Sequence, residues 1–187
     1  MSVVSRIQVW EGSSLINLTL RSKPYMLGFI ESIGMRIAMS CAPTRFFEDF
    51  EVGARYPTRT RLITEADHDA FCRLVGYEVP LFLDDGHARD RGLPGRICPS
   101  HLVMSFSTAM TGDLLEGCVI ALVGVDEARF LKHVRPGDTL RTEVEIVSRR
   151  PTSKPDRGLI VMRDHVYNQH GEEVFHNDKS VLVRRRA

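Results

Sequence analysis

From residue 100 to 115 the apolar side chains Leu102, Val103, Phe106, Ala109, Met110 and Leu114 recur at helical spacing. Met104 falls on another side of the same turn, so the pattern predicts a long helix wrapped on most of its surface. Upstream, residues 59–63 read as a short strand. Thr64-Glu65-Ala66-Asp67 then reads as a helix start, with a hydroxyl to cap the first turn and acids near the positive end. That helix is expected to reach Val75, to bury Ala66, Ala70, Phe71 and Leu74, and to leave at Gly76. Asp84 is placed to cap a second short helix that Gly92 stops. Downstream, residues 119–125, 139–148, 159–168 and 180–185 are strand-like and separated by Pro- and Gly-containing turns. In the third of these, Leu159, Val161, Arg163, His165 and Tyr167 share one face, and Ile160, Met162, Asp164 and Val166 share the other. The order is a short strand, small helices, a buried helix and an antiparallel run, an α+β layout with one long helix on a curved sheet.

The first 44 residues lack that regularity. Gly12-Ser13-Ser14 and Ser22-Lys23-Pro24 interrupt them, and no sustained helical or strand period emerges. No charged start, apolar core and small-residue cleavage site follow one another, which argues against a secretory signal. Arg6, Arg21, Lys23 and Arg36 lean towards a transit peptide, and Glu11 and Glu31 count against one. Met35 and Met39 sit just before the regular region. The division read from this is an N-terminal extension, 1–44, either mobile or begun too far upstream, and a domain, 45–187.

The chain has 187 residues, 43% hydrophobic and 26% charged, with a net charge of +1. One ordinary soluble domain fits these figures, and nothing in the charge calls for nucleic acid. Arg184-Arg185-Arg186 reads as a solvated strand end. No apolar run is long enough to span a bilayer. Cys41, Cys72, Cys98 and Cys118 are widely spaced, which predicts reduced thiols in a cytoplasmic protein and neither a zinc site nor a disulfide framework. The histidines show no metal-ligand spacing, so no metal is expected.

Four segments carry a family likeness: Gly76-Tyr77-Glu78-Val79-Pro80-Leu81-Phe82-Leu83-Asp84, Gly92-Leu93-Pro94-Gly95-Arg96-Ile97, Ala128-Arg129-Phe130-Leu131-Lys132 and Val134-Arg135-Pro136-Gly137-Asp138-Thr139-Leu140. With the opening Phe47-Glu48-Asp49-Phe50-Glu51-Val52-Gly53, they resemble the MaoC-like acyl-CoA dehydratases (enoyl-CoA hydratase 2), of hot-dog fold. The resemblance covers essentially all of the domain. It implies a hydratase or dehydratase of acyl-CoA thioesters that needs no further cofactor, working as a symmetric homodimer or a dimer of dimers.

The acid–base pair of that family is missing. Its segment G-D-x-N-P-L-H-x-D keeps Gly76, Pro80, Leu81 and Asp84 here, but the Asp becomes Tyr77, the Asn Val79 and the His Phe82. The next motif, I-A-H-G-M-L, becomes Ile97-Cys98-Pro99-Ser100-His101-Leu102. The chain thus resembles the divergent branch of mesaconyl-CoA and itaconyl-CoA hydratases. Phenylalanine exchanges no proton, and a tyrosine hydroxyl with a pKa of about 10 is a poor base. Three groups remain as catalytic candidates. The amide of Ser100 matches the family's oxyanion donor, His101 beside it exchanges protons near neutral pH, and Tyr77 can orient water. Each also has a purely structural reading: a helix start, a packed helix histidine and a turn aromatic. Glu78 is a weaker candidate for a displaced carboxylate. Asp84, as cap or contact, and Arg129 and Lys132, which resemble positions near the family's acyl-carrier tunnel and read equally as solubilising strand-edge charges, are the substrate-binding candidates. A thioester-binding protein without catalysis stays open, as does a thioesterase. The latter needs a carboxylate on the long helix, and only Asp113 and Glu116 lie near, at its far end.

Overall fold

The structure is a computed structural model that describes residues 4–11, 14–21 and 45–186. The chain forms two compact units, Met1–Ala42 and Pro43–Ala187. In the first, β1 (Val4–Glu11) and β2 (Ser14–Arg21) pair as an antiparallel hairpin. This corrects the expectation of an irregular start: Ile7, Val9, Ile16 and Leu18 are ordinary strand formers, and the pairing fixes a register that their mixed alternation hides. Met35 and Met39 lie outside the described residues.

In the second unit the elements run β3 (Arg55–Leu62), α1 (Glu65–Val75), α2 (Pro80–Leu83), α3 (Asp85–Asp90), α4 (Ser100–Met110), β4 (Val119–Phe130), β5 (Thr139–Pro151), β6 (Arg157–Tyr167) and β7 (Glu173–Arg184). The five strands form one antiparallel sheet in the order β3-β5-β6-β7-β4, with α4 packed on β3 and β5. All four strands expected after the long helix are present. β4 runs past its expected end to Phe130, through a bulge where Glu127 takes a φ of 49°.

α1 begins and ends as its sequence predicts. The Thr64 hydroxyl accepts from the Asp67 amide at 3.0 Å, the Asp67 carboxylate returns the bond to the Thr64 amide, and Gly76 exits with a φ of 73°. Its buried face differs. His68 and Cys72 are buried and Phe71 partly so, while Ala66, Ala70 and Leu74 face outward. The reason is that α1 packs its polar His68 side onto the strap before α4 instead of an apolar stripe onto the sheet. α4 is likewise shorter and more open than expected. It stops at Thr111, tightens into a 3-10 turn over Gly112–Leu115, and exposes His101, Ser105, Thr108 and Ala109.

Two apolar clusters fill the space under α4. One gathers Leu102, Val103, Val134, Leu140, Val166 and Phe175; the other gathers Phe50, Leu114, Val144, Ile146, Ile160 and Val181. Each fully buried aliphatic side chain contributes about 1.5–3 kcal/mol. Between the clusters runs a buried polar band of Ser107, Thr111, Thr142, Asp164, Asn177 and Lys179.

Candidate functional site

Ser100 opens α4 directly after Pro99, whose fixed φ suits a helix entry. The amides of Ser100 and His101 find no acceptor among the described residues, because a first turn has no preceding carbonyls to meet them. Both residues are exposed. With the positive end of the helix dipole behind them, these amides are ready-made donors for an oxygen that gains charge.

The strap before α4 is tied down from three sides. The Cys98 amide donates to the Val134 carbonyl at 2.7 Å, and the Arg96 amide donates to Asp85 Oδ1 at 2.7 Å. The Arg96 guanidinium reaches Asp69 at 2.8 Å and also Glu65, both on α1. His68, fully buried, places Nε2 3.3 Å from the Ile97 carbonyl and Nδ1 3.3 Å from Asp69. The His68 ring and then the Arg96 guanidinium hold the Asp69 carboxyl below its usual range, and the Arg96 amide does the same for Asp85. Sequence reasoning missed Asp69, Asp85 and His68. They resemble no family motif, and they meet the strap only when α1, with His68 and Asp69, and the start of α3, with Asp85, fold against it.

Tyr77 follows α1 through Gly76 and sets its hydroxyl 3.5 Å from His101 Nδ1, the outer limit of a hydrogen bond. Its ring meets Phe82 edge-on at 5.3 Å and lies 6.4 Å from Phe71. Ser100, His101 and Tyr77 are therefore brought together, with Phe82 walling the group where the family pattern has histidine. Asp84 is not part of it. Its carboxylate accepts the His87 amide at 3.0 Å as the cap of α3, and that bond pulls its pKa down. Arg129 pairs with Glu127 at 3.4 Å on β4, and Lys132 pairs with Glu172; both are exposed. Lys132 lies two positions before Val134, the residue that anchors Cys98. Glu78 is exposed beside Tyr77.

Glu65, Asp69 and Asp85, the carboxylates around the strap, are thus engaged with arginine, histidine or backbone, which leaves Tyr77, His101, the two helix amides and the exposed Glu78 to contact a ligand. Residues 49–161 match the MaoC like domain family. The chain belongs to the MaoC-like domain family. It is 29% identical over 143 residues to mesaconyl-CoA hydratase of Cereibacter sphaeroides, covering 76% of this chain and 42% of that one. The solved structure of a putative MaoC domain protein dehydratase from Chloroflexus aurantiacus superposes with a TM-score of 0.75 at 30% identity, over 79% of this chain and 42% of that one. A Mycobacterium tuberculosis protein with a double hot-dog fold superposes at 0.70 and 23% identity, over 76% and 44%. The MaoC-like chain described here has the hot-dog fold and spans less than half the length of each of these relatives.

Proposed function

We propose that the protein adds or removes water across the α,β double bond of an acyl-CoA thioester, at a site without the usual Asp/His pair. One observation carries this: the unpaired amides of Ser100 and His101 open α4 beside the Tyr77 hydroxyl and the His101 ring. In hydration the water oxygen bonds to the β-carbon while the π electrons move to the carbonyl oxygen. The Ser100 amide donates to that enolate-like oxygen. Tyr77 orients the water, and His101 takes the proton it releases and returns it to the α-carbon as the carbonyl re-forms. Elimination runs the same steps backwards through the same transition state. Nothing beyond the CoA thioester and water takes part. Arg129 and Lys132 serve the CoA phosphates in this reading, and Asp84 acts through the turn that it caps.

The assembly that goes with this reading is a homodimer closed through β4. That strand is a sheet edge and exposes Ile120, Leu122, Val123 and Val125, apolar side chains on both of its faces. The thiols of Cys72, Cys98 and Cys118, which form no disulfide among the described residues, support a reducing, cytoplasmic setting. No helix among the described residues is long and apolar enough to cross a membrane.

A second reading, a thioester-binding protein without turnover, is favoured by the edge-on contact of Tyr77 and Phe82, which puts rings where a proton relay would stand. A thioesterase is supported less. Asp113 and Glu116 lie past the end of α4, and Asp113 sits 3.9 Å from Arg59 in solvent. One assay separates the three. Enoyl-CoA esters are incubated with the protein while loss of the conjugated thioester and release of thiol are followed. Loss without thiol is expected. Thiol release would replace the reading by hydrolysis. Neither, with thermal stabilisation by CoA esters, would leave binding alone.

A further inference from the structure

A groove of about 700 Å³ runs along the open side of α4, between that helix, α1 and the edge strand β3. Ala70, Phe71 and Leu74 form one wall, and Leu102, Ala109 and Met110 the other. Leu74 is 83% exposed. Two exposed apolar residues of α1, Ala70 and Leu74, therefore line this groove beside the partly buried Phe71, and such a surface marks a binding site more often than chance. One end adjoins the candidate site. The Phe71 ring neighbours that of Tyr77 at 6.4 Å, and Ser105, on the groove wall, donates to the His101 carbonyl at 2.7 Å. The other end opens at Arg59, near Asp113. Arg61 flanks the middle, but its charge is already met. Its guanidinium lies 5.2 Å from the Phe106 ring centre and 3.2 Å from Asp67, which leaves its methylene stem as wall.

The geometry points to this groove as the channel for the acyl chain, and to an apolar chain of about eight to ten carbons as its occupant. The inference rests on the thioester reading above. With the thioester carbonyl at the Ser100 amide, the chain lies parallel to α4. From His101 to Met110 that helix rises ~13 Å, at about 1.5 Å per residue. An extended chain covers roughly 3.5 Å in three bonds, so ~10 bonds span the groove. A four-carbon acyl group would end beside Phe71 and leave Ala109 and Met110 uncovered.

The test is calorimetric titration of the full chain with butyryl-, hexanoyl-, octanoyl- and decanoyl-CoA, saturated esters that bind without being hydrated. Full burial of a methylene is worth about fourfold in affinity and a half-open groove about half that free energy, so the expected gain is roughly twofold per added carbon, levelling off near ten. Ala109→Phe sets a ring across the channel from an exposed helix position. It should lower the octanoyl-to-butyryl affinity ratio at least fivefold while butyryl-CoA binds as before. Ala70→Phe, on the opposite wall, should do the same and stands in if the first variant fails to fold. Equal affinity at all lengths, or a ratio unmoved by both variants, would overturn the channel and leave thioester binding intact. Failure to bind any ester would overturn the thioester reading itself. If Leu74→Glu lowered the particle mass in sedimentation without changing the ratio, a second copy of the chain would be the occupant and the proposal would fall.

Discussion

Lys179 Nζ lies 2.6 Å from Asp164 Oδ2 in the interior of the sheet, with both side chains out of water. Ser107 donates to the same carboxylate oxygen at 2.7 Å, and Lys179 also donates to Thr111 at 3.0 Å. Burial pushes the Asp164 carboxyl up and the Lys179 amine down, each against the pull of its partner. Desolvation therefore competes with attraction in this pair. Removing one partner strands the other. Lys179→Met and Asp164→Leu are each expected to destabilise by about 3–5 kcal/mol, while the double variant recovers most of the loss. Urea unfolding of the three variants measures this. Additive losses would mean that the pair is not a unit.

Gly158 carries a different constraint. A β-carbon there would overlap the ring of Phe47, which closes the cluster beneath the far end of α4. Gly158→Ala should destabilise by roughly 1–3 kcal/mol through overpacking. Adding Phe47→Leu should return part of that stability, as read by thermal unfolding. A neutral Gly158→Ala would show that the ring moves aside freely.

How far the sequence foretold these features varies with the kind of contact. Thr64, Gly76 and Asp84 act through neighbours within four positions, so their caps were legible. Alternation put Asp164 on the same face as Ile160, Met162 and Val166, and the structure makes that face the buried one. Its partner Lys179 was not legible, because it comes from the next strand and no local rule puts a lysine in a core. The same holds for Arg96 with Asp69 and His68, which join segments ~30 residues apart. The stripe Ala66, Ala70 and Leu74 misled because periodicity shows that a helix has an apolar side but not what covers it. At the site, motif likeness singled out Ser100, His101 and Tyr77, and the fold brings these three together. Asp84, Arg129 and Lys132 were chosen by position in a motif; Asp84 caps α3, and Arg129 and Lys132 stand exposed with Glu127 and Glu172 as neighbours.

Asp67 gives stability a pH dependence. The Thr64 amide and hydroxyl, then Arg61, hold its carboxyl below the ordinary value of 3.8. A carboxyl whose folded pKa is depressed contributes stability above its unfolded pKa and loses it as the pH falls through the folded one. The contribution should be complete above about pH 5 and fade below about pH 4. Asp67→Asn is expected to flatten the acid limb of the stability–pH curve and leave its neutral shape unchanged. An unaltered acid limb would contradict the assignment.

The β4 edge makes a prediction about assembly. Val125 is 40% exposed on that strand, and a lysine there would charge the seam. If the chain pairs through β4 as proposed, wild-type protein sediments as a dimer at micromolar concentration and Val125→Lys as a monomer, with circular dichroism unchanged. A wild-type protein already monomeric at that concentration would remove β4 as an interface.

The central claim, that the first amides of α4 receive the thioester carbonyl, is tested most directly by amide nitrogen–proton spectra of the labelled protein titrated with butyryl-CoA. The account predicts saturable downfield proton shifts at Ser100 and His101, larger than those at any other helix start. Shifts confined to the arginines at the end of β7, with Ser100 and His101 unmoved, would contradict it.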